Sequence, residues 1–353
     1  MAGIGLITVI LAAVVAFGIA VMVRRRAAQL GLVQPPNDRS SHTAPTATGG
    51  GIGIAIGGTL AGLPMCLAEP WVTIPVLLAG LLMAVIGYID DRRPLPVAWR
   101  LGGQLLLTGA VVSLIPLSSL NAGLGVALPG ALLFVLLALS GTLWINLFNF
   151  MDGIDGLAAS EAIFALLAGV VLAILAQPAL VDHPLACWML GLAAATAGFL
   201  VLNWPPAKLF MGDTGSTYLA LLIGFFALAT IASDWLTPWQ WLIILALFLA
   251  DALTTLARRL INREPIWQAH KRHAYQALQR RFGAHRTVTL LYLAIDVVML
   301  LPLAALAGLF SDWGWALTLA AYLVLVPAAL AAGAGASLQP ERDEKRPGAD
   351  NRQ

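Results

Sequence analysis

Residues 149–156 read NFMDGIDG and follow directly on an apolar run, 132–150. Asp152 and Asp155 therefore stand at the edge of a hydrocarbon layer, where carboxylates are costly unless something uses them. With Asn146 and Asn149 they fall at i, i+3, i+6 and i+9. Residues three apart on a helix are neighbours, and Gly153 and Gly156 are expected to end the helix and free the backbone to wrap a ligand. Taken alone, the segment also reads as a capped helix end with turn residues.

Other polar groups gather at the same depth. Asp90 and Asp91 close one apolar run, Asp213 sits in FMGDTGS where another begins, and Asp251 lies one to two turns inside a third. Adjacent carboxylates repel unless a cation or a base lies between them. Asp and Asn oxygens without a nearby His or Cys cluster suit a hard ion, and magnesium binds one or two carboxylates plus substrate phosphates. The basic groups nearby, Arg100, Lys208, Arg258, Arg259, Arg263, Lys271 and Arg272, suit phosphate oxygens. The helix start at Asp213-Thr214-Gly215-Ser216 also receives anions. The combination reads as a magnesium-dependent phosphoryl-transfer site at a membrane surface.

The elements that must hold these groups follow from composition. The chain of 353 residues is 59% hydrophobic and 11% charged, with mean hydropathy +0.86. Soluble domains carry about 25% charged residues, so this is an integral membrane protein. Its apolar runs are continuous rather than alternating, which excludes a barrel and leaves helical spans. An all-α polytopic fold of about eleven spans is expected, near 4–23, 49–67, 72–89, 101–118, 128–148, 157–176, 185–203, 215–232, 239–257, 288–310 and 314–333. Arg24, Arg25 and Arg26 follow the first span instead of preceding it, the flank of an anchor that starts outside. With that start, all 20 Lys and Arg fall in inner segments, while the outer loops hold only acidic groups such as Glu69, Asp182, Asp234 and Asp312. Positive-inside topology then puts the C-terminus in the cytoplasm. Residues 1–334 are expected to form one membrane domain, and 335–353 a disordered cytoplasmic tail. Loop 258–287 is basic and amphipathic enough to lie on the membrane surface; topology-setting charge explains it as well. Cys66 and Cys187 make no metal-binding pattern and read as small apolar residues. Asp296, deep in a span, reads more readily as a buried hydrogen-bonded carboxylate than as a catalyst.

Two other classes fit the sequence less well. CDP-alcohol phosphotransferases need an Ala-Arg after the DG and two later aspartates four apart; DGLAAS lacks the Arg and no such pair follows. A transporter or flippase for a phosphorylated lipid or a nucleotide sugar would place ionisable groups at mid-depth and basic groups along a path outward, and the outer loops have none.

Several segments together resemble the polyprenyl-phosphate N-acetylhexosamine-1-phosphate transferases, glycosyltransferase family 4, which include the phospho-MurNAc-pentapeptide translocase. They are PPNDRSSHTAPTATGGG (35–51), the DD of YIDDRR (88–93), NLFNFMDGIDGL (146–157), KLFMGDTGS (208–216) and HKRHAYQ (270–276). The resemblance implies transfer of an N-acetylhexosamine-1-phosphate from a UDP-sugar to undecaprenyl phosphate, with UMP leaving. It implies Mg2+, with Mn2+ as an alternative, a cytoplasmic-face site in a bacterial inner membrane, and a homodimer as in many relatives. No nucleic-acid partner is expected. By position, the resemblance makes Asp213 the metal-binding aspartate with Asn149 as partner ligand. Asp90 and Asp91 become the acidic pair near metal and lipid phosphate, Asp155 the group that meets uracil, and Arg100 a phosphate contact. Asn146, Asp152, Lys208, His270, Arg272 and His273 are further substrate-binding candidates, the last three in the loop that covers the sugar. Many relatives carry HxHH or HHH where this chain has His273-Ala274-Tyr275-Gln276. The missing histidines and the RSSH stretch suggest a different sugar, as in O-antigen initiation.

Overall fold

The computed structural model describes residues 2–34, 45–265 and 270–336. The RSSH stretch and the tail from 337 lie outside them. The described chain is helical throughout, apart from a two-residue antiparallel pair, β1 (Val33–Gln34) and β2 (Thr46–Ala47).

In chain order the helices are α1 (Ala2–Leu30), α2 (Gly51–Gly62), α3 (Met65–Ala68), α4 (Pro70–Arg92), α5 (Val97–Val112), α6 (Leu117–Leu124), α7 (Gly130–Phe150) and α8 (Leu157–Ala176). Then come α9 (Pro184–Asn203), α10 (Asp213–Ala232), α11 (Pro238–Ile244), α12 (Ala246–Ile261), α13 (Ala274–Phe282), α14 (His285–Ile295), α15 (Leu301–Leu309) and α16 (Gly314–Ala332). Among the described residues nine spans are long and apolar enough to cross a membrane, and two bent pairs raise the number to eleven. The protein is a multi-pass membrane protein.

The two bent pairs replace spans expected to be continuous, 101–118 and 239–257. α5 and α6 meet at 90°. Pro116 stands at the break with extended backbone, ψ 110°, and a proline cannot donate the bond that would carry a helix through. α11 and α12 meet at 73° around Leu245, and nothing in the local run IILALF explains that bend. A third irregularity is a π-helical turn, Asp296–Leu300, between α14 and α15.

Without a hydrophobic drive between helices in lipid, small residues set the packing. Ala12, Ala16 and Ala20 of α1 are buried. Gly53 and Gly57 of α2 and Gly198 of α9 lie so close that a Cβ on any of them would meet α1 backbone carbonyls. Large apolar side chains such as Leu6, Trp71, Leu106 and Val298 point outward. α8, α9 and α10 form the buried centre, with Trp188, Phe199, Tyr218 and Phe226 fully enclosed.

The connections between these helices meet at one end. Phe210 N donates to Ala47 O, and Gly50 N and Gly51 N donate to Phe210 O and Met211 O. These bonds lock the segment before α2 onto the segment before α10.

Candidate active site

α7 stops at Phe150, with Met151 closing it, one turn earlier than the glycine positions suggest. Asn146 and Asn149 ride the last turn of the helix; Asp152 and Asp155 lie on the connector. Gly156 takes φ 74° at the start of α8, where a side chain would be strained. The connector is pinned from several sides. Gly156 N donates to Asn203 Oδ1 at 2.9 Å, Ala207 N to Asp155 Oδ2 at 2.9 Å, and Thr289 Oγ1 to Asp155 O at 2.9 Å. Tyr275 Oη donates to Phe150 O at 2.9 Å.

A cavity of about 460 Å³ opens there. Asp90, Asp91, Asn149, Asp152, Asp155 and Asp213 line it, with Asn203, Phe210, Gln276 and His285. Asp213 is the first residue of α10, after Gly212 at φ 73°. Asn149 Nδ2 donates to Asp213 Oδ1 at 2.9 Å and to Ser216 Oγ at 2.8 Å, so its amide oxygen is the atom it has left for a ligand.

The acidic pair divides its work. Asp91 accepts from Asp213 N at 2.8 Å, from Thr214 N at 3.1 Å and from Thr214 Oγ1 at 2.7 Å. It caps the helix that carries Asp213, satisfying amides that a helix start otherwise leaves unpaired. The resemblance puts Asp91 near metal and lipid phosphate as a catalytic group; in the structure its oxygens are committed to this cap. Asp90 accepts from Leu95 N at 2.6 Å and from Arg100 Nη1 at 3.0 Å. Arg100, expected at a phosphate, is thus engaged with Asp90.

Asp152 lines the cavity with the least local support. Burial first, then the carboxylates of Asp213, Asp91 and Asp155, push its carboxyl well above the ordinary range. Such a concentration of negative charge calls for a cation. Among the described residues no three His, Cys, Asp or Glu side chains converge as a ready-made metal cage. The donor set fits the expected metal: Asp213, the Asn149 amide oxygen and the neighbouring carboxylates.

Other expected contacts turn away from the cavity. Asn146 Nδ2 donates to Gln104 Oε1 at 2.7 Å and to Thr142 O at 2.8 Å, because the helical spacing carries it to the α5 side. Lys208 is exposed and does not line the cavity. In the basic loop, Arg272 Nη1 pairs with Glu264, and His273 Nδ1 lies 3.3 Å from Asp251 Oδ1. His270 packs against the rings of Phe150 and His273, which also face each other. Burial, helped by nearby His273, Arg259 and Arg272, lowers its imidazole to about 3, so it is neutral at physiological pH. Asp251 is the hub of this region, accepting from Ala274 N at 2.8 Å, Tyr275 N at 3.0 Å and Tyr292 Oη at 2.9 Å.

The sequence reading missed His285, Gln276, Asn203 and Phe210 as cavity residues. It had counted His285 only as part of a basic loop; Asn203 ends an apolar run and carried no separate signal. It also missed Glu161. Asp296 is buried as expected, yet its Oδ1 has no hydrogen-bond partner among the described residues. It lies beside the equally buried Glu161.

Comparison with known proteins places this geometry. The model of glycosyl transferase family 4 matches residues 73–231. A decaprenyl-phosphate N-acetylglucosaminephosphotransferase of Mycolicibacterium smegmatis is 30% identical over 90% of this chain and 86% of its own. The chain belongs to glycosyl transferase family 4. A probable undecaprenyl-phosphate N-acetylglucosaminyl 1-phosphate transferase of Bacillus subtilis is 29% identical over 77% of this chain and 76% of its own. A phospho-N-acetylmuramoyl-pentapeptide-transferase of Moorella thermoacetica is 37% identical over 54% of this chain and 64% of its own. The glycosyl transferase family 4 match takes in every aspartate that lines the cavity and stops before the basic loop and His285.

Proposed function

We propose that this protein transfers an N-acetylhexosamine-1-phosphate from a UDP-sugar to undecaprenyl phosphate, releasing UMP and starting a lipid-linked surface glycan such as O-antigen. The observation that carries the reading is Asp213, held by Asp91 at a helix start and aimed with Asn149, Asp152 and Asp90 into one cavity at the bundle's end. The three relatives, each a phosphosugar transferase by name and two named for a polyprenyl phosphate, support it. The fall of all 20 Lys and Arg in the segments that the sequence assigns to the inner side supports a site on the cytoplasmic face of a bacterial inner membrane. Only there can a water-soluble nucleotide meet a phosphate whose tail is buried in lipid.

Asp213, the Asn149 amide oxygen and the Asp152 carboxylate would hold Mg2+, with Mn2+ as a substitute. When bound it supplies Lewis-acid stabilisation of the diphosphate. The chain's own residues do the rest. Asp91 fixes the backbone of Asp213 and Thr214. Leu95 N–H and Arg100 hold Asp90 in one orientation, suiting it to position the incoming phosphate. A phosphate monoester is mostly dianionic at pH 7, its second pKa being about 6, so no strong general base is needed and direct in-line attack is favoured. The transition state is loose, and positioning and electrostatics dominate.

The test is UMP release by purified protein with undecaprenyl phosphate, Mg2+ and a panel of UDP-N-acetylhexosamines, deoxy sugars included. Release with one sugar, abolished by EDTA, is expected. Asp213→Asn should lower kcat by about a hundredfold or more with the melting temperature kept. Normal turnover and metal dependence in that variant would refute the assignment.

A further inference from the structure

We infer that Glu161 and Asp296 hold a proton between them inside the membrane, and that the hydrogen bond it makes positions α14 against α8 behind the cavity. Glu161 lies on α8, and Asp296 opens the π-helical turn after α14. They are 2% and 1% exposed. Their side chains lie within hydrogen-bonding reach of each other. Both Glu161 oxygens and Asp296 Oδ1 nevertheless have no hydrogen-bond partner among the described residues.

Nothing else described there neutralises the pair. The groups that act on it electrostatically are its own two members and Tyr292, and the Tyr292 hydroxyl is spent on Asp251 Oδ2 at 2.9 Å. α9, α10, α11 and α15, which also pack on α8, bring no charged group to it among the described residues. No third His, Cys, Asp or Glu among them joins the two carboxyls to make a metal site. Two ionised carboxylates side by side in a low dielectric repel strongly, and one of such a pair keeps its proton. An ionised carboxylate only accepts, whereas a protonated one has an O–H to donate. One proton thus turns two facing acceptors into a donor and an acceptor.

The place of the pair ties it to the site. Ionisable groups inside spans are rare and mostly serve function. Glu161 lies one turn into α8, which begins just after Asp155 and Gly156. Asp296 lies one turn past Tyr292, and Tyr292 supports Asp251, the acceptor for the amides that open α13. Thr289, also on α14, donates to Asp155 O, and Gln276 of α13 lines the cavity. A bond between α8 and α14 at this level keeps both walls in register.

The kinetic arm of the test rests on the proposed UDP-sugar donor; the spectroscopic and thermal arms do not. In purified full-length protein at neutral pH, infrared difference spectra of wild type against Glu161→Gln should show a protonated-carboxyl C=O band that the variant loses. Absence of that band would overturn the inference. Glu161→Gln still donates a hydrogen and should melt within about 2 °C of the wild type. Glu161→Leu fills similar space without a donor, strands Asp296 and should melt about 5 °C lower. Equal melting of the two variants would overturn the bond. Melting that rises with added Na+ in the wild type and not in Glu161→Gln would put a metal ion between the carboxyls, and overturns the proton. KM for the UDP-sugar should rise about threefold in Glu161→Leu and return to the wild-type value in Glu161→Gln. Equal KM in all three proteins would overturn the positioning role. A wild type that releases UMP from no UDP-sugar overturns the proposed donor instead, while the band and the melting still decide the pair.

Discussion

Asp152 has a raised carboxyl pKa, and the sign of its pH effect follows from that. A group whose folded pKa lies above its unfolded value of about 3.9 favours the folded state fully below that value. The contribution disappears as pH rises through the folded pKa. In EDTA at neutral pH, Asp152→Asn should therefore melt above the parent, and the gap should close as pH falls to about 4. A melting series over pH checks this; a neutral-pH variant that melts no higher sinks the assignment. Asp152 and Asp155 were legible in the sequence because carboxylates at the end of an apolar run have few bland explanations. His285 was not, because one histidine in a basic loop has many, and only folding brings α14 against the connector after α7. Asn146 shows the opposite case: its spacing was right for a neighbour of Asn149, but Gln104 on another helix took its amide.

Between elements, the site depends on how tightly α4 meets α10. Asp91 at the end of α4 caps α10, and a Cβ on Gly87, one turn earlier, would run into the Asp213 carbonyl and Thr214 N. Gly87→Ala should therefore push the start of α10 outward, cost about 1–3 kcal/mol and lower kcat with it. Asp91→Ala leaves helix-start amides without acceptors and should cost a similar amount, about 1–3 kcal/mol. Thermal unfolding and UMP release measure both; a Gly87→Ala protein with parental melting and turnover would contradict the close-contact account. Spans were legible from unbroken hydropathy, and the break at Pro116 had a visible cause in retrospect. The bend at Leu245 had none, since local composition there reads as one run and the geometry belongs to tertiary packing.

Across the whole molecule, the cavity draws on residues from the segment before α2 to the start of α14, so no half of the chain contains it. The last described residues join in. Arg258 Nη1 donates to Ala334 O at 3.1 Å, and Gly335 N donates to Arg272 O at 2.6 Å. This turn beyond α16 straps the loop that leads to His273. A chain stopped after residue 331 should insert and fold, yet show a raised KM for the UDP-sugar; one stopped after residue 336 should match the full chain. Steady-state kinetics of the two compare them, and parity of both with the full chain would remove the strap's role. The strap also has a consequence for biogenesis. Its residues leave the ribosome after every described span has been made, so the bonds that tie them to Arg258 and Arg272 are among the last to form.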